Sequence, residues 1–347
     1  MVGSITSLAR EIGVETLYSL PRDVSPREYF RGRKDDRDFI LMLYPDASEA
    51  HCADLQSFIR IGAWLNTCGV KVPALYDKDE VQCYALFEDL GTQSFGARLR
   101  DKPDDQQGLY RLATDVLKIL GQAQGTPDTL PLYTKSKIHA GHRQIVDYYI
   151  PLLGRAQGQA DAQTVQAYLS VWDEIESTLP PCPQGFVHGD FHLENMIYVG
   201  RENGVKRCGL IDYQDALYGP LPYDLVNLLE DARVDVPIAL RDSMIAHYSD
   251  GMSAQDKAAF LDWYRVLGTQ FHCRVIGLFI KLSAEQGRDS YLVHIPRLQN
   301  YILNALENPI LSPLKLWFEK EGVDFNSIKD LDGNIIRKIF SKRSVLI

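Results

Sequence analysis

The residues between His188 and Asp212 concentrate the groups of this 347-residue chain that can do chemistry. The segment reads His188-Gly189-Asp190-Phe191-His192-Leu193-Glu194-Asn195, and a short hairpin later comes Ile211-Asp212-Tyr213-Gln214-Asp215. Asn195 offers a neutral oxygen and Asp212 an anionic one, hard donors of the kind Mg²⁺ takes while keeping several waters. Asp190 would accept the proton of an attacking hydroxyl or orient that hydroxyl. This division of roles suits phosphoryl transfer, in which a loose transition state spreads negative charge over oxygens. Such a state needs cations and positioning more than covalent help.

The spacing His, one residue, Asp, four residues, Asn is that of a kinase catalytic loop, and the Asp after the hairpin takes the place of the kinase metal aspartate. Alone, such a pattern arises by chance. A strand before it, a hairpin after it and an apolar strand delivering Asp212 give it weight. His188 and His192, four apart, also suggest a zinc pair, but that geometry needs a helix and a further ligand, and Gly189 argues against a helix. His188 is expected to orient the loop by hydrogen bonding, while spacing alone assigns His192 no role.

The elements that position these residues follow from periodicity. After a short N-terminal helix, residues 28–33 and 39–44 read as strands joined by the polar turn 34–38. Asp46 with Glu49 resembles a helix N-cap pair, and Leu55, Phe58, Ile59, Gly62 and Leu65 recur at helical spacing until Gly69. Residues 73–76 and 81–87 form a second strand pair ending at Glu88-Asp89-Leu90-Gly91. Helices marked by Leu109 to Leu120 and by Val165 to Ile175 follow. A small β element covers 185–188, 196–199 and 208–211 with an Asn203-Gly204 turn, and further helices cover 223–233, 238–249 and 258–286. The expected fold class is α+β: a small β-rich lobe over residues 1–90 and a larger, mainly helical lobe over 91–347. The cleft between two such lobes is where ligands bind.

Composition agrees with that reading and excludes others. With 45% hydrophobic and 24% charged residues, the chain is globular and longer than one compact core usually grows. A net charge of -9 leaves no basic excess to displace counterions, so nucleic acid is not the partner, whereas ATP needs only a local positive site. The N-terminal residues lack an apolar stretch of signal-peptide length and residues 275–280 fall far short of a membrane span. A cytoplasmic protein without a membrane partner is expected. The six cysteines show no Cys-x-x-Cys pair, which suits buried thiols better than zinc or disulfides.

On these motifs the chain resembles the aminoglycoside phosphotransferase superfamily of protein-kinase-like fold. Its signature is His-Gly-Asp, an Asn five residues after the Asp, and a downstream Ile-Asp strand end. Within it the chain is similar to the bacterial cell-wall sugar kinases that phosphorylate the anomeric hydroxyl of N-acetylmuramate and N-acetylglucosamine. That likeness rests on REYFR at 27–31, LFEDLG at 86–91, IDYQDALYGPLPYDLVNLLEDAR at 211–233, RVIGLFIKL at 274–282 and YLVHIPR at 291–297. The resemblance implies a bilobal fold and an ATP-dependent kinase using Mg²⁺. It implies Asp190 as catalytic base, Asn195 and Asp212 as magnesium ligands, and Glu88, Asp89 and Leu90 as a hinge lining adenine through backbone groups. The acceptor it implies is an amino-sugar hydroxyl. Kinases for aminoglycosides, choline or another alcohol share the same core, and a nucleotide-binding regulator without catalysis is the rival from another class.

Two features depart from the general kinase pattern. The first hairpin has no G-x-G-x-x-G, only Gly32, and the strand 39–44 has Met42 or Leu43 where a phosphate-pairing lysine is expected. Arg31, with Arg27 or Arg33 as alternatives, is expected to contribute the missing charge, against a reading of all three as solvated strand-edge cations. Beyond Asp212, Asp224 follows Pro222 at a helix start, where it caps backbone N–H groups or holds the catalytic loop. Glu230, Asp231 and Arg233 end the same helix as candidate acceptor contacts. Arg233, Arg274 and Arg297 are candidate partners for a carboxylate such as that of N-acetylmuramate. Trp263 and Tyr264 either stack on a sugar or belong to the core.

Overall fold

A computed structural model describes residues 5–14, 16–21, 27–127, 130–134, 141–153, 161–327 and 331–341. The chain forms two compact units, one of residues 1–131 with 185–218, the other of residues 132–184 with 219–347. This division differs from a break at residue 90. The helical residues up to 122 and the segment carrying Asp190 and Asp212 pack with the sheet.

The first unit starts with helix α1 (Ile5–Glu11) and is built on a five-stranded antiparallel sheet: β1 (Tyr18–Ser19), β2 (Glu28–Lys34), β3 (Arg37–Leu43), β4 (Leu75–Asp79) and β5 (Tyr84–Glu88), in the order β1-β2-β3-β5-β4. Strand alternation sorts its two faces. Phe39, Leu41 and Leu43 of β3 join Phe30 and Leu86 in a core shared with Leu8 of α1 and with Ile12 just after it. Ile40 and Met42, opposite Arg31 and Tyr29 in register, line a cavity on the other face. The β2–β3 turn is tighter than the polar run suggests. Asp35 and Asp36 alone make it, both at positive φ, the backbone a twisted two-residue hairpin demands.

Helix α2 (Glu49–Thr67) follows β3 and buries Leu55, Phe58, Ile61, Gly62 and Leu65. Its N-cap is Ser48, whose hydroxyl accepts from the His51 N–H, rather than the Asp46–Glu49 pair. Asp46 instead accepts from the Ser48 N–H at 3.0 Å and bonds the His51 ring at 2.7 Å. Strands β4 and β5 start later than their apolar residues suggest, because the Asp79 carboxylate accepts from the Val81 and Gln82 N–H groups and shapes the turn. Helices α3 (Phe95–Asp101) and α4 (Gln106–Gln122), then strands β6 (Gln184–Val187), β7 (Met196–Tyr198) and β8 (Cys208–Leu210), follow in the chain. The β7–β8 connection is not a two-residue Asn203-Gly204 turn. Residues Gly204–Arg207 wind into a 3₁₀ turn, and the Arg207 guanidinium donates to the Glu202 carbonyl at 3.0 Å. The Leu210 N–H also donates to the Lys71 carbonyl, and Ile197 bridges to Ser94, so the hairpin that delivers Asp212 is tied to the segments just after α2 and just before α3.

The second unit is helical: α5 (Ala162–Ser177), α6 (Pro222–Leu229), α7 (Ile238–Tyr248), α8 (Ala254–Gln286), α9 (Ile295–Ala305), α10 (Ser312–Lys320) and α11 (Gly333–Ser341). Trp172, Ile276, Leu298, Ile302 and Phe318 are among the side chains that fill its core. Helix α6 ends at Leu229, four residues before the apolar pattern does. The Asp231 carboxylate accepts from the Arg233 backbone N–H at 2.9 Å and grips its guanidinium, which fixes a turn in place of another helical one. Glu230, Asp231 and Arg233 therefore lie beyond the helix. Cys83, Cys208 and Cys273 are buried, Cys52, Cys68 and Cys182 half-buried, and all six are free thiols. Among the described residues no helix is long and apolar enough to cross a membrane.

Candidate active site

Strand β6 ends at Val187, and the chain turns through Gly189 at φ 89°, a backbone that a Cβ disfavours. His188 is buried. Burial pulls its pKa below the usual value despite the Ile211 carbonyl and the nearby aspartates, so the imidazole is neutral. Its Nε2–H donates to the Ile211 carbonyl at 3.0 Å and its Nδ1 accepts the Asp190 N–H at 3.4 Å. One ring thus ties the loop that carries Asp190 to the strand end that delivers Asp212.

Asn195 donates through Nδ2 to the backbone carbonyl of Asp190 at 2.9 Å and to its carboxylate at 3.1 Å. Its Oδ1 is then the atom left to face a cation. His192, which spacing left without a role, also reaches Asp190. Its Nδ1 accepts the Glu194 N–H at 3.2 Å, which puts the ring proton on Nε2, 3.1 Å from Asp190 Oδ2. The 3.3 Å between His192 Nε2 and Asn195 Nδ2 is the approach of two donors sharing that oxygen. Glu194 anchors the loop from below: Ser94 donates to its carboxylate at 2.5 Å and Arg100 of α3 at 2.8 Å. Burial works against that charge, but these bonds outweigh it and hold the carboxyl below its ordinary range.

Asp212 has φ 61°, a left-handed backbone that a non-glycine residue adopts at a cost of about 1–2 kcal/mol. Gln214 steadies it, its Nε2 donating to Asp212 Oδ1 at 3.1 Å and to Asp215 Oδ2 at 2.8 Å. The donor set fits Mg²⁺, which takes one or two protein oxygens and completes its shell with phosphates and water. It does not fit the zinc alternative. His188 and His192 are committed as described, and among the described residues no group of three or more His, Cys, Asp or Glu is placed to hold a metal ion.

Asn195 and Asp212 both line a cavity of about 780 Å³ that lies within the first unit. Ile40, Phe87, Leu90, Ile197 and Ile211 give it apolar surface suited to a planar base. Glu88, Asp89 and Leu90 line it too, but the first two side chains matter more than a purely backbone role implies. Glu88 binds Lys71 at 2.7 Å and Arg201 at 2.8 Å. Burial pushes its carboxyl up, and those two hydrogen bonds outweigh that and leave it below its usual value. Asp89 grips Arg31 bidentately, at 2.5 Å and 3.1 Å. The charge expected of Arg31 is therefore engaged by a carboxylate 58 positions away, which no local pattern could announce. Arg27 lines the same cavity with its guanidinium 3.6 Å from Asp212 Oδ1. Spacing gave no signal for Lys71, Glu194 or Asp54, the last on α2 and hydrogen-bonded by the Tyr44 hydroxyl.

The acceptor candidates belong to the second unit. Asp224 sits buried in the first turn of α6, near enough to Tyr248 to help burial raise that phenol's pKa. Glu230 is buried and internally committed: Tyr264 donates to it at 3.1 Å, and Arg241 and His272 lie within 3.5 Å. Tyr264 thus belongs to the core, and Trp263 donates to the Pro180 carbonyl at 2.7 Å. Arg233 pairs with Asp231 and Arg297 with Asp235, while Arg274 donates to the Tyr223 hydroxyl at 2.9 Å.

Comparison with known proteins places this geometry in context. The model of the phosphotransferase enzyme family (APH) matches residues 16–261. An N-acetylmuramate/N-acetylglucosamine kinase of Caulobacter vibrioides is 29% identical over 333 residues, covering 87% of this chain and 91% of its own. A protein of the same name from Pseudomonas aeruginosa is 28% identical over 303 residues, covering 85% of each chain. Among solved structures, the ADP-bound aminoglycoside phosphotransferase APH(2″)-Ib superposes with a TM-score of 0.57 at 12% identity, covering 85% of this chain and 95% of that one. At that identity the likeness establishes a shared kinase-like fold. With the family match spanning most of its length and the catalytic-loop residues in place, the chain belongs to the phosphotransferase enzyme family.

Proposed function

We propose that the chain is an ATP- and Mg²⁺-dependent kinase that phosphorylates an amino sugar, at the anomeric hydroxyl of N-acetylmuramate or N-acetylglucosamine. The observation that carries the reaction type is Asp190. Its carboxylate takes hydrogen bonds from Asn195 and His192, beside a cavity lined by Asn195 and Asp212. The nucleotide's base fits the apolar part of the cavity, and its phosphates reach toward Asn195 and Asp212. Mg²⁺, when bound there, neutralises charge on the transferring group. Asp190 takes the proton of the acceptor hydroxyl, whose oxygen bonds to the γ-phosphorus as the bond to the β–γ bridging oxygen breaks. ADP leaves, and Asp190 later returns its proton to solvent.

The acceptor class rests on the kinases of that name to which the chain is similar over most of its length. A panel of N-acetylmuramate, N-acetylglucosamine, a kanamycin-type aminoglycoside and choline with Mg-ATP tests it. Anomeric phosphate on an amino sugar is expected, and turnover of only the aminoglycoside or choline would overturn the acceptor assignment.

A further inference from the structure

We propose that Arg27 is the cation that grips the nucleotide's phosphates, in place of the lysine that β3 lacks, with Asp212 holding its guanidinium at the cavity. The proposal deepens the kinase reading and rests on it. Strand alternation shows why a substitute is needed. The β3 side chains that line the cavity are Ile40 and Met42, and neither carries charge. The charges that line the cavity are otherwise mostly acidic: Asp54, Glu88, Asp89, Asp212 and Asp215. Glu88 is neutralised by Lys71 and Arg201, and Asp89 by Arg31. A polyphosphate entering beside the remaining carboxylates needs a protein cation as well as a metal ion, and Arg27 lines that space.

Burial separates Arg27, just before β2, from Arg31 and Arg33 within it. The Arg33 side chain is 62% exposed and reads as a solvated edge charge, Arg31 is 29% exposed and clamped to Asp89, and Arg27 is only 9% exposed. An arginine so deeply placed is not an edge cation. Its 3.6 Å approach to Asp212 Oδ1 sets it against the anionic ligand that Mg²⁺ would take. Mg²⁺ held by Asp212 would be that carboxylate's counter-ion, and the Arg27 guanidinium would then be directed to phosphate oxygens, which its planar fork suits.

Calorimetric binding of ADP and of adenosine to the full chain, without acceptor, tests this directly in wild type, Arg27→Gln and Arg27→Lys. The expected result is an affinity for ADP about 10- to 100-fold lower in Arg27→Gln, with adenosine affinity unchanged and Arg27→Lys partly restored. Unchanged ADP affinity in Arg27→Gln would overturn the role of Arg27 and leave the kinase reading standing. An equal loss of ADP and adenosine affinity would overturn it as well, by showing a structural role. Failure of wild type to bind any adenine nucleotide would overturn the kinase reading itself.

Discussion

An aspartate 62% exposed at the end of a turn is ordinary until its neighbours are counted. Asp190 takes a hydrogen bond from Asn195 and one from His192, and the backbone N–H of Glu194 fixes which ring nitrogen of His192 carries the proton. Two donors on one oxygen stop the carboxylate from rotating away from an incoming hydroxyl. His192→Ala is expected to lower kcat by about 10- to 100-fold, the worth of a hydrogen bond to a charged group, with the KM for ATP unchanged. Steady-state kinetics on purified variant decides it, and a KM effect with intact kcat would assign His192 to nucleotide binding instead.

Single elements explain how so small a constellation keeps its shape. Helix α2 and the residues after β8 are fitted to one another. The Tyr213 ring, fully buried, stacks on Phe58 at 4.4 Å and 20°, and a Cβ at Gly62 would lie 2.5 Å from its hydroxyl. Glycine in mid-helix normally costs about 1 kcal/mol against alanine. Here Gly62→Ala is expected to destabilise instead, by about 1–3 kcal/mol, because Tyr213 has nowhere to go. A fall in thermal midpoint with reduced turnover is the expected outcome, and a rise in thermal midpoint would contradict this packing. The same elements show what the sequence could and could not reveal. The loop 188–195 and Asp212 were legible because their spacing is local and a hairpin brings them together. Asp190's company was half visible, since Asn195 lies in the motif while His192 needs a tautomer that only the Glu194 N–H assigns. Choosing among Arg27, Arg31 and Arg33 was out of reach, because Asp89, 58 residues from Arg31, decides it. The helix expected to run to Arg233 stops at Leu229 for a reason no periodicity contains, a carboxylate one residue past the cap gripping the next arginine.

At the scale of the whole molecule, the two compact units divide the candidate functional groups. The cavity, the proposed metal donors Asn195 and Asp212, and Asp190 all belong to the first, so the proposed reaction type rests on that unit alone. The chain carries a net charge of -9, and at the cavity Glu88 and Asp89 are paired with Lys71, Arg201 and Arg31 while Arg27 faces Asp212. The expected lobe boundary at residue 90 followed a change from strand to helix composition, whereas packing keeps α3, α4 and the catalytic segment with the sheet. The most direct test of the central claim compares wild type with Asp190→Asn, reading Mg-ATP turnover with N-acetylmuramate and ADP binding on the same preparations. Turnover is predicted to fall by about 10²- to 10⁴-fold while ADP affinity stays within about twofold. Turnover at the wild-type rate in Asp190→Asn would contradict the assignment of Asp190 as the catalytic base.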